Sequence, residues 1–267
     1  MRTDEILYLM YHELETPARS FCHDEPGYVR YVLAERDFRE QIDWLQKAGI
    51  RGESVSLALA EIDLAKSGNR VIAITFDDGC ESDLEVAIPI LKNADFSATF
   101  YITLGFLGQP GYLRRDQVHE IGDAGFEVGC HSMTHAYLSD LDEAGLRREI
   151  ADAKLQLEAL AGRPVHHFSC PGGRWSPQVA RVAKQAGYRS VATSRIGTNG
   201  RGADPFRLAR IAVMRGTTLS AYQALCRGEN LWKLQLRDFV RGASRRLLGN
   251  AIYDRLRQRV LASVSEK

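Results

Sequence analysis

The sequence predicts an α/β fold built on a mostly parallel sheet or barrel. Apolar segments alternate with segments of helical periodicity along most of the 267 residues, an order typical of parallel strands connected by helices. The chain length also suits one large α/β barrel domain. The 45% hydrophobic and 26% charged residues are ordinary for a globular protein with a buried core.

Seven short apolar segments are predicted to be strands. Each is bounded by polar or turn-forming residues, which is the pattern of buried strands in an α/β protein. The predicted strands are 5–12, 71–76, 97–103, 126–132, 166–173 with its terminal Pro-Gly-Gly turn, 188–194 and 206–213.

Six segments between these strands have helical spacing of their apolar residues. The longest is expected to begin at Ser139 as N-cap and to stop at Gly162. Another has Pro177 at its first position, where proline is favourable. The predicted helices are 34–50, 55–68, 83–95, 114–125, 138–162 and 176–187.

The C-terminal part of the chain differs from the rest, so we predict a domain at 1–225 and a basic extension at 226–267. Within 232–261, Lys and Arg outnumber acidic residues and apolar residues recur at helical spacing. This segment is predicted to be an amphipathic helix packed on the domain. Peripheral contact with an anionic membrane is the alternative.

Composition excludes several classes of protein. A net charge of +1 does not indicate nucleic-acid binding. The five cysteines are odd in number and contain no CxxC pair, so a disulfide framework is not expected. The N-terminal segment resembles neither a signal peptide nor a membrane span. We therefore expect a cytoplasmic protein, membrane-associated only if 232–261 binds lipid.

Two groups of polar residues follow predicted strands. Asp77 and Asp78 come directly after 71–76, and His131 and His135 follow the strand ending near Cys130. The carboxyl ends of parallel strands meet at one rim, so these side chains are expected to converge. One aspartate would bind a divalent metal with the histidines and the other would accept a proton. The pattern leaves open which aspartate does which.

The segment "FSCPGG" supplies a third group at the end of a predicted strand. Glycine lets the backbone approach a ligand and direct an N–H group at it. Such a donor would stabilise an oxyanion. An ordinary tight turn is the alternative interpretation.

Together "TFDDG", "HSMTH" and "PGG" resemble the polysaccharide deacetylase family, also called the NodB-homology domain or carbohydrate esterase family 4. The resemblance covers roughly residues 5–215. It implies a distorted (β/α) barrel with fewer than eight strands. It also implies a metal-dependent hydrolase that removes N-acetyl groups from amino sugars of an exopolysaccharide or cell-envelope glycan.

The same resemblance implies roles for particular residues. Asp77 matches the general base of the family. One divalent ion, zinc by expectation with manganese, cobalt or nickel as alternatives, would be held by Asp78, His131 and His135.

The third motif corresponds to the substrate side of the site in the family. Gly172 falls where the oxyanion N–H donor lies, and Pro171 and Gly173 flank it. Trp175 would form an apolar wall for the substrate methyl group. A plain core aromatic is the alternative for Trp175.

Two features depart from the family pattern. Ser169 occupies the place of an arginine that pairs with the base, and Arg174 or Arg210 could substitute, with Arg210 preferred. The chain also lacks a histidine after His167, where the family often has its general acid. His12, a protonated Asp77 or a water could take that role.

These departures leave two other functions open. One is a metal-dependent amidohydrolase acting on a small amide or cyclic imide, and the other is a non-catalytic binding protein of a polysaccharide assembly complex. The expected partner is a carbohydrate, lipid-linked or free. Cys80, Cys130 and Cys170 adjoin the three motifs. We interpret them as small buried thiols rather than as a second, thiolate metal site.

Overall fold

The structure, a computed structural model, describes residues 5–17, 20–64, 70–229 and 231–236. The strands in these ranges are β1 Glu5–Tyr11, β2 Leu14–Glu15, β3 Leu33–Ala34, β4 Ile50–Glu53, β5 Arg70–Phe76, β6 Thr99–Ile102, β7 Glu127–Cys130, β8 His167–Ser169, β9 Ser190–Ala192, β10 Asn199–Gly200 and β11 Ile211–Ala212.

Helices connect most of these strands. The α-helices in the same ranges are α1 Pro26–Val29, α2 Glu35–Lys47, α3 Val55–Leu64, α4 Ile88–Asn93, α5 Val118–Asp123, α6 Glu143–Arg147, α7 Ala153–Ala161, α8 Pro177–Gln185 and α9 Leu219–Cys226. Two π-helical segments, Asp83–Ala87 and Arg148–Asp152, run directly into α4 and α7.

The main sheet is a curled, parallel arrangement in the order β1-β5-β6-β7-β8-β9. β11 pairs in parallel with β1, and a bridge between Ala192 and Leu208 joins β9 to the segment before β11. The described strands therefore form a distorted barrel, as predicted. β4 pairs beside the first half of β5, and β10 lies antiparallel to β1.

Alternation along the strands separates a helix-facing core from the barrel interior. On β5, Ile72, Ile74 and Phe76 belong to the larger hydrophobic core. Val71 and Ala73 belong to a smaller cluster that includes Tyr8 and Tyr101. Asp77 follows the end of β5 on the same face as Val71 and Ala73, and therefore lies at the rim of the barrel.

The barrel interior is filled by side chains, as in related barrel architectures. The middle is occupied by Tyr101, whose ring passes over Gly129, where any Cβ would collide with it. Glu127 and His167 lie at the start of their strands, and His131 and Ser169 lie at the opposite end of the same two strands. Polar and ionisable residues therefore lie at both ends of the barrel interior.

The longest predicted helix begins later than expected. Asp142 caps it by accepting a hydrogen bond from the Gly145 amide at 2.8 Å. Ser139, the predicted cap, instead lies in the short 3₁₀ turn Leu138–Asp140 and donates to Asp140. The predicted stop is confirmed, since Gly162 has φ 65°.

Other differences concern short strands. The predicted strand 206–213 contains only β11, because Pro205–Arg207 form a 3₁₀ turn. The two-stranded pair β2–β3 and the strands β4 and β10 were not predicted. β4 (IRGE) and β10 (NG) contain no apolar run, whereas the equally short strands β6 to β9 lie within the apolar segments that were predicted.

The domain boundary predicted near residue 225 stays a prediction. α9 packs on α2 through an edge contact between Tyr222 and Trp44. Residues 231–236 are helical with Trp232 and Leu236 exposed, and most of the predicted amphipathic helix 232–261 lies outside the described residues. Within the described ranges, no helix is long and apolar enough to cross a membrane.

Candidate metal centre and active site

Asp78, His131 and His135 converge at the rim of the barrel. One ligand atom from each lies within 4.8 Å of the others. The Asp78 Oδ1 atom is 3.5 Å from His131 Nε2 and 3.4 Å from His135 Nε2. The structure therefore brings together the three side chains that the sequence proposed as metal ligands.

These residues fit a divalent transition metal. Two ligands bound at about 2.0–2.1 Å to a tetrahedral ion lie about 3.3–3.4 Å apart, close to the separations observed here. Asp78 Oδ1 is buried and has no hydrogen-bond partner. A buried, unpartnered carboxylate oxygen is costly, and a bound cation would satisfy it.

His131 is held in the orientation and tautomer that a metal ligand needs. Its Nδ1 lies 2.9 Å from the Ser169 carbonyl oxygen. Because a carbonyl can only accept, Nδ1 carries the proton and the Nε2 lone pair faces Asp78. Burial lowers the pKa of His131 to about 4, although Asp77 opposes the shift. The imidazole is therefore neutral at neutral pH.

Unusual backbone angles direct the ligands toward one another. Asp78, Ser132 and His135 have φ values of 84°, 74° and 63°. Non-glycine residues rarely adopt this left-handed region, and such strain is concentrated at functional sites. The sharp turns let side chains beyond the strand ends fold back over the barrel rim.

Glu149 fixes the loop between the two histidines, a role that the sequence did not reveal. Its carboxylate accepts hydrogen bonds from the Met133 and Thr134 amides at 3.0 and 2.9 Å, and from the Thr134 hydroxyl at 2.7 Å. Glu149 lies in the π-helical segment before α7 and is only 5% exposed. Glu149 thus stabilises the loop between His131 and His135.

Asp77 has different surroundings from its neighbour. Arg210 donates two hydrogen bonds to it, from Nη1 to Oδ1 at 2.7 Å and from Nη2 to Oδ2 at 2.8 Å. Both residues are almost completely buried. Both carboxylate oxygens of Asp77 are therefore occupied by a planar guanidinium, an arrangement that lysine could not reproduce.

Other donors and acceptors complete the surroundings of Arg210. Its Nε donates to the Thr193 carbonyl oxygen at 3.0 Å, and its Nη atoms donate to the hydroxyls of Thr75 and Ser169 at 3.2 and 2.7 Å. The Ser169 hydroxyl lies 3.3 Å from Asp77 Oδ2. Arg210, rather than Arg174, makes the contact with Asp77 that the sequence analysis expected of a substitute arginine.

The charge of Arg210 determines the ionisation of Asp77. Burial by itself raises the pKa of Asp77, but Arg210 and, to a smaller degree, His131 outweigh it. The pKa of Asp77 is therefore held well below its ordinary value. Asp77 is a permanently ionised carboxylate at neutral pH.

The "PGG" turn adopts the conformation for which glycine is needed. Gly172 and Gly173 have φ values of 56° and 67°. A Cβ on Gly172 would lie 2.9 Å from the Tyr137 ring, and one on Gly173 would lie 2.6 Å from Ser194. Pro171 is buried at the start of this 3₁₀ turn.

Two other residues singled out from the sequence, Trp175 and Arg174, have contacts of their own. The Trp175 indole N–H donates to the Phe206 carbonyl at 2.7 Å, and Arg207 stacks on the Trp175 ring. Arg174 lies over the Tyr137 ring. These contacts neither establish nor contradict a substrate-binding role for Trp175.

His12 lies close enough to Asp77 and Asp78 for their charges to affect its pKa. Desolvation lowers the pKa of His12, while the Asp78 and Asp77 carboxylates oppose this shift. Its ring stacks on Tyr31 with centroids 4.7 Å apart, and its buried Nδ1 has no hydrogen-bond partner. Its role as general acid stays a prediction.

Comparison with known proteins identifies several similar proteins. Residues 65–191 match the family model described as polysaccharide deacetylase. The chain is 26% identical over 195 residues to YxkH of Bacillus subtilis, covering 72% of this chain and 69% of that one. It is 34% identical over 127 residues to the peptidoglycan-N-acetylglucosamine deacetylase of Bacillus cereus, covering 47% of this chain and 57% of that enzyme.

Solved structures show the same architecture. The Streptococcus pyogenes deacetylase PplD, solved in complex with acetate, superposes with a TM-score of 0.73 at 21% sequence identity. The superposition covers 82% of this chain and 96% of that one. At this level of identity the similarity supports the barrel fold.

Proposed function

We propose that the chain is a polysaccharide deacetylase that hydrolyses N-acetyl groups of amino sugars in a poly- or oligosaccharide, because residues 65–191 match that family model. The relative with 34% identity is named for deacetylating N-acetylglucosamine in peptidoglycan. An exopolysaccharide or cell-envelope glycan containing this sugar is the proposed substrate class. Whether the glycan is carried on a lipid stays a prediction.

One observation supports the proposed roles of the two aspartates most strongly. Both oxygens of Asp77 accept hydrogen bonds from Arg210, whereas Asp78 Oδ1 is buried without a partner beside two imidazoles. Asp78 is therefore the carboxylate suited to a metal, and Asp77 is the one suited to proton transfer. The residues alone did not distinguish these roles.

The proposed cofactor is one divalent ion held by Asp78, His131 and His135. Two nitrogens and one carboxylate oxygen suit zinc, and also suit manganese, cobalt or nickel. When bound, such an ion polarises the amide carbonyl and makes a water molecule more acidic.

Asp77 is proposed as the general base. A carboxylate with a strongly lowered pKa is a weak base, so its role requires a water that is itself unusually acidic. Arg210 keeps Asp77 ionised and fixes its plane. The Gly172 N–H is the proposed donor to the oxyanion of the tetrahedral intermediate, and His12 is the candidate that protonates the leaving amine.

Acetate release tests the substrate class. The metal-loaded protein is incubated with N-acetylglucosamine oligomers and, separately, with small cyclic imides and amides. We expect acetate from the oligomers, and a decrease of about 10²–10⁴-fold in the Asp77→Asn variant. The variant is isosteric and serves as the matched control for contaminating activity.

Other outcomes would identify the alternatives. Turnover of a cyclic imide without acetate release from oligomers would replace the proposal with a small-amide hydrolase. Full metal occupancy with no turnover of any amide would indicate a binding protein.

A further inference from the structure

A second group of potential metal ligands lies outside the candidate active site. Ligand atoms of Glu13, Cys22 and Cys80 all lie within 4.8 Å of one another. Glu13 and Cys80 are buried, and Cys22 is partly exposed. The three residues come from different parts of the chain: the β1–β2 connection, the segment before α1 and the turn after β5.

The two sulfur atoms have the separation expected around a metal. Cys22 Sγ and Cys80 Sγ are 3.7 Å apart. Two thiolates bound at about 2.3 Å to a tetrahedral zinc ion lie about 3.8 Å apart, whereas bonded sulfurs of a disulfide lie about 2.0 Å apart. The spacing excludes a disulfide and leaves room for a shared ion; without an ion, it is the length of a hydrogen bond from the Cys22 thiol to the Cys80 sulfur.

The carboxylate of Glu13 is held beside these thiols. The Cys22 amide donates to both of its oxygens, at 3.2 and 3.1 Å. Cys22 Sγ also lies 3.2 Å from the Gly111 carbonyl oxygen, and a Cβ on Gly111 would lie 2.7 Å from that sulfur. The segment around Gly111 thus closes over the group without leaving space for a side chain.

Asp83 provides an independent observation. It is fully buried, and neither of its carboxylate oxygens has a hydrogen-bond partner at normal geometry. A buried polar group without a partner is destabilising, and a cation at the neighbouring thiols would compensate for it.

We propose that Glu13, Cys22 and Cys80 bind a second divalent metal ion of the zinc type. Two sulfurs with one or two carboxylate oxygens suit a soft or borderline cation. The ion would join the segment before α1 to the turn that carries Asp77 and Asp78. Its role would be structural, because it would link two segments of the chain and its ligands include none of the candidate active-site residues.

Cobalt substitution tests this site without relying on activity. The metal-depleted full-length protein is titrated with Co²⁺ and its near-ultraviolet absorption is recorded. Thiolate-to-cobalt charge transfer reports only the second site, because Asp78, His131 and His135 include no thiol. We expect this absorption in the wild type and in His131→Ala. The Cys22→Ser variant should lose the absorption and should bind one ion fewer per chain. Cys226→Ser, which changes a buried cysteine on α9, is the matched control and should keep both.

Two results would overturn the proposal. One is a wild-type protein that fills the histidine site with cobalt and shows no charge-transfer absorption. The other is an intact mass that indicates a Cys22–Cys80 disulfide in the protein as isolated. If Cys22→Ser does not fold, alkylation of the wild type decides the question. Cys22 should react with iodoacetamide at least tenfold faster after chelation, and an unchanged rate would contradict a metal at this site.

Discussion

At the scale of single residues, the candidate site depends on the different surroundings of two adjacent carboxylates. Asp77 is paired with a buried guanidinium, and Asp78 faces two imidazoles. The pairing keeps Asp77 ionised in a position where burial alone would favour its protonated form. Two neighbouring aspartates therefore have different electrostatic surroundings.

Arg210 is the residue on which this difference depends. Removing one partner of a buried ion pair typically costs about 3–5 kcal/mol, because a charge is left uncompensated. We expect Arg210→Met to lower the free energy of unfolding by this amount, measured by urea denaturation. The pKa of Asp77 should rise, so the acid limb of the kcat/KM profile should move to higher pH.

Arg210→Lys is the matched comparison for this prediction. It keeps the charge but cannot donate in the same planar, bidentate way. The decrease in its free energy of unfolding should therefore be smaller than that of Arg210→Met. An exposed ion pair contributes only about 0–1 kcal/mol. A decrease of that size in the free energy of unfolding of Arg210→Met would contradict the buried ion pair.

The sequence identified some of these residues better than others. Asp77, Asp78 and the two histidines were found because they follow apolar strands and fit a metal-ligand pattern. The contact between Arg210 and Asp77 spans 133 positions, so the sequence could only nominate two arginines. Glu149 was missed because a polar residue within a helix usually faces solvent.

At the scale of elements, the corrected helix start can be tested directly. Asp142→Ala removes the hydrogen bond to the Gly145 amide and should cost about 1 kcal/mol, as typical N-cap replacements do. Ser139→Ala, on the 3₁₀ turn, should change stability by less than about 0.5 kcal/mol. Equal losses in urea denaturation would show that the helix begins earlier.

The same helical region stabilises the loop between His131 and His135 through Glu149. Glu149→Gln replaces an acceptor-only group by one that also donates, so the contacts with Met133 and Thr134 are weakened. We expect metal affinity to fall by about 10–100-fold, as for other residues that support metal ligands. Competition with a chromogenic chelator measures the change.

Glu143→Gln is the control for this prediction, because Glu143 lies on the adjacent helix and pairs with Arg147 and Arg181 at the surface. Its metal affinity should equal that of the wild type. An equal decrease in both variants would indicate a general effect on folding rather than support of the ligand loop.

The ends of the predicted strands were most accurate where the apolar run is long. The long strands β1 and β5 were found within one residue of their ends, because apolar runs of this kind are distinctive. β4 and β10 depend on pairing with neighbouring strands rather than on their own pattern. The first part of 206–213 deviates from a strand because Pro205–Arg207 form a 3₁₀ turn.

At the scale of the whole molecule, the two ends of the barrel interior have different chemistry. At the end opposite the metal ligands, Glu127 accepts hydrogen bonds from the hydroxyls of Ser56 and Thr99. His167 Nε2 lies 2.8 Å from the Ser56 hydroxyl and 3.4 Å from Glu127. This network joins α3, β6, β7 and β8.

The network makes stability depend on pH. Burial raises the pKa of Glu127, but hydrogen bonding and charge from His167, with Ser56 and Thr99, lower it from 4.5 to about 2. Because the folded-state pKa is depressed, the contribution is complete above the unfolded value and is lost as the pH falls toward the folded one. We expect the stability difference between wild type and Glu127→Gln to decrease as the pH is lowered from 5 to 2.

Urea denaturation across this pH range provides the measurement. Glu120→Gln, on the exposed surface of α5, is the control and should differ little from the wild type at any pH. A wild-type advantage over Glu127→Gln that stayed constant down to pH 2 would contradict the lowered pKa.

Metal retention by two isosteric variants tests the central claim most directly. Wild type, Asp77→Asn and Asp78→Asn are saturated with zinc, dialysed and analysed for metal per chain. The account predicts that Asp78→Asn loses one ion relative to the wild type, while Asp77→Asn keeps it and loses only turnover. Loss of the ion from Asp77→Asn, or its retention by Asp78→Asn, would contradict the assignment of ligand and base.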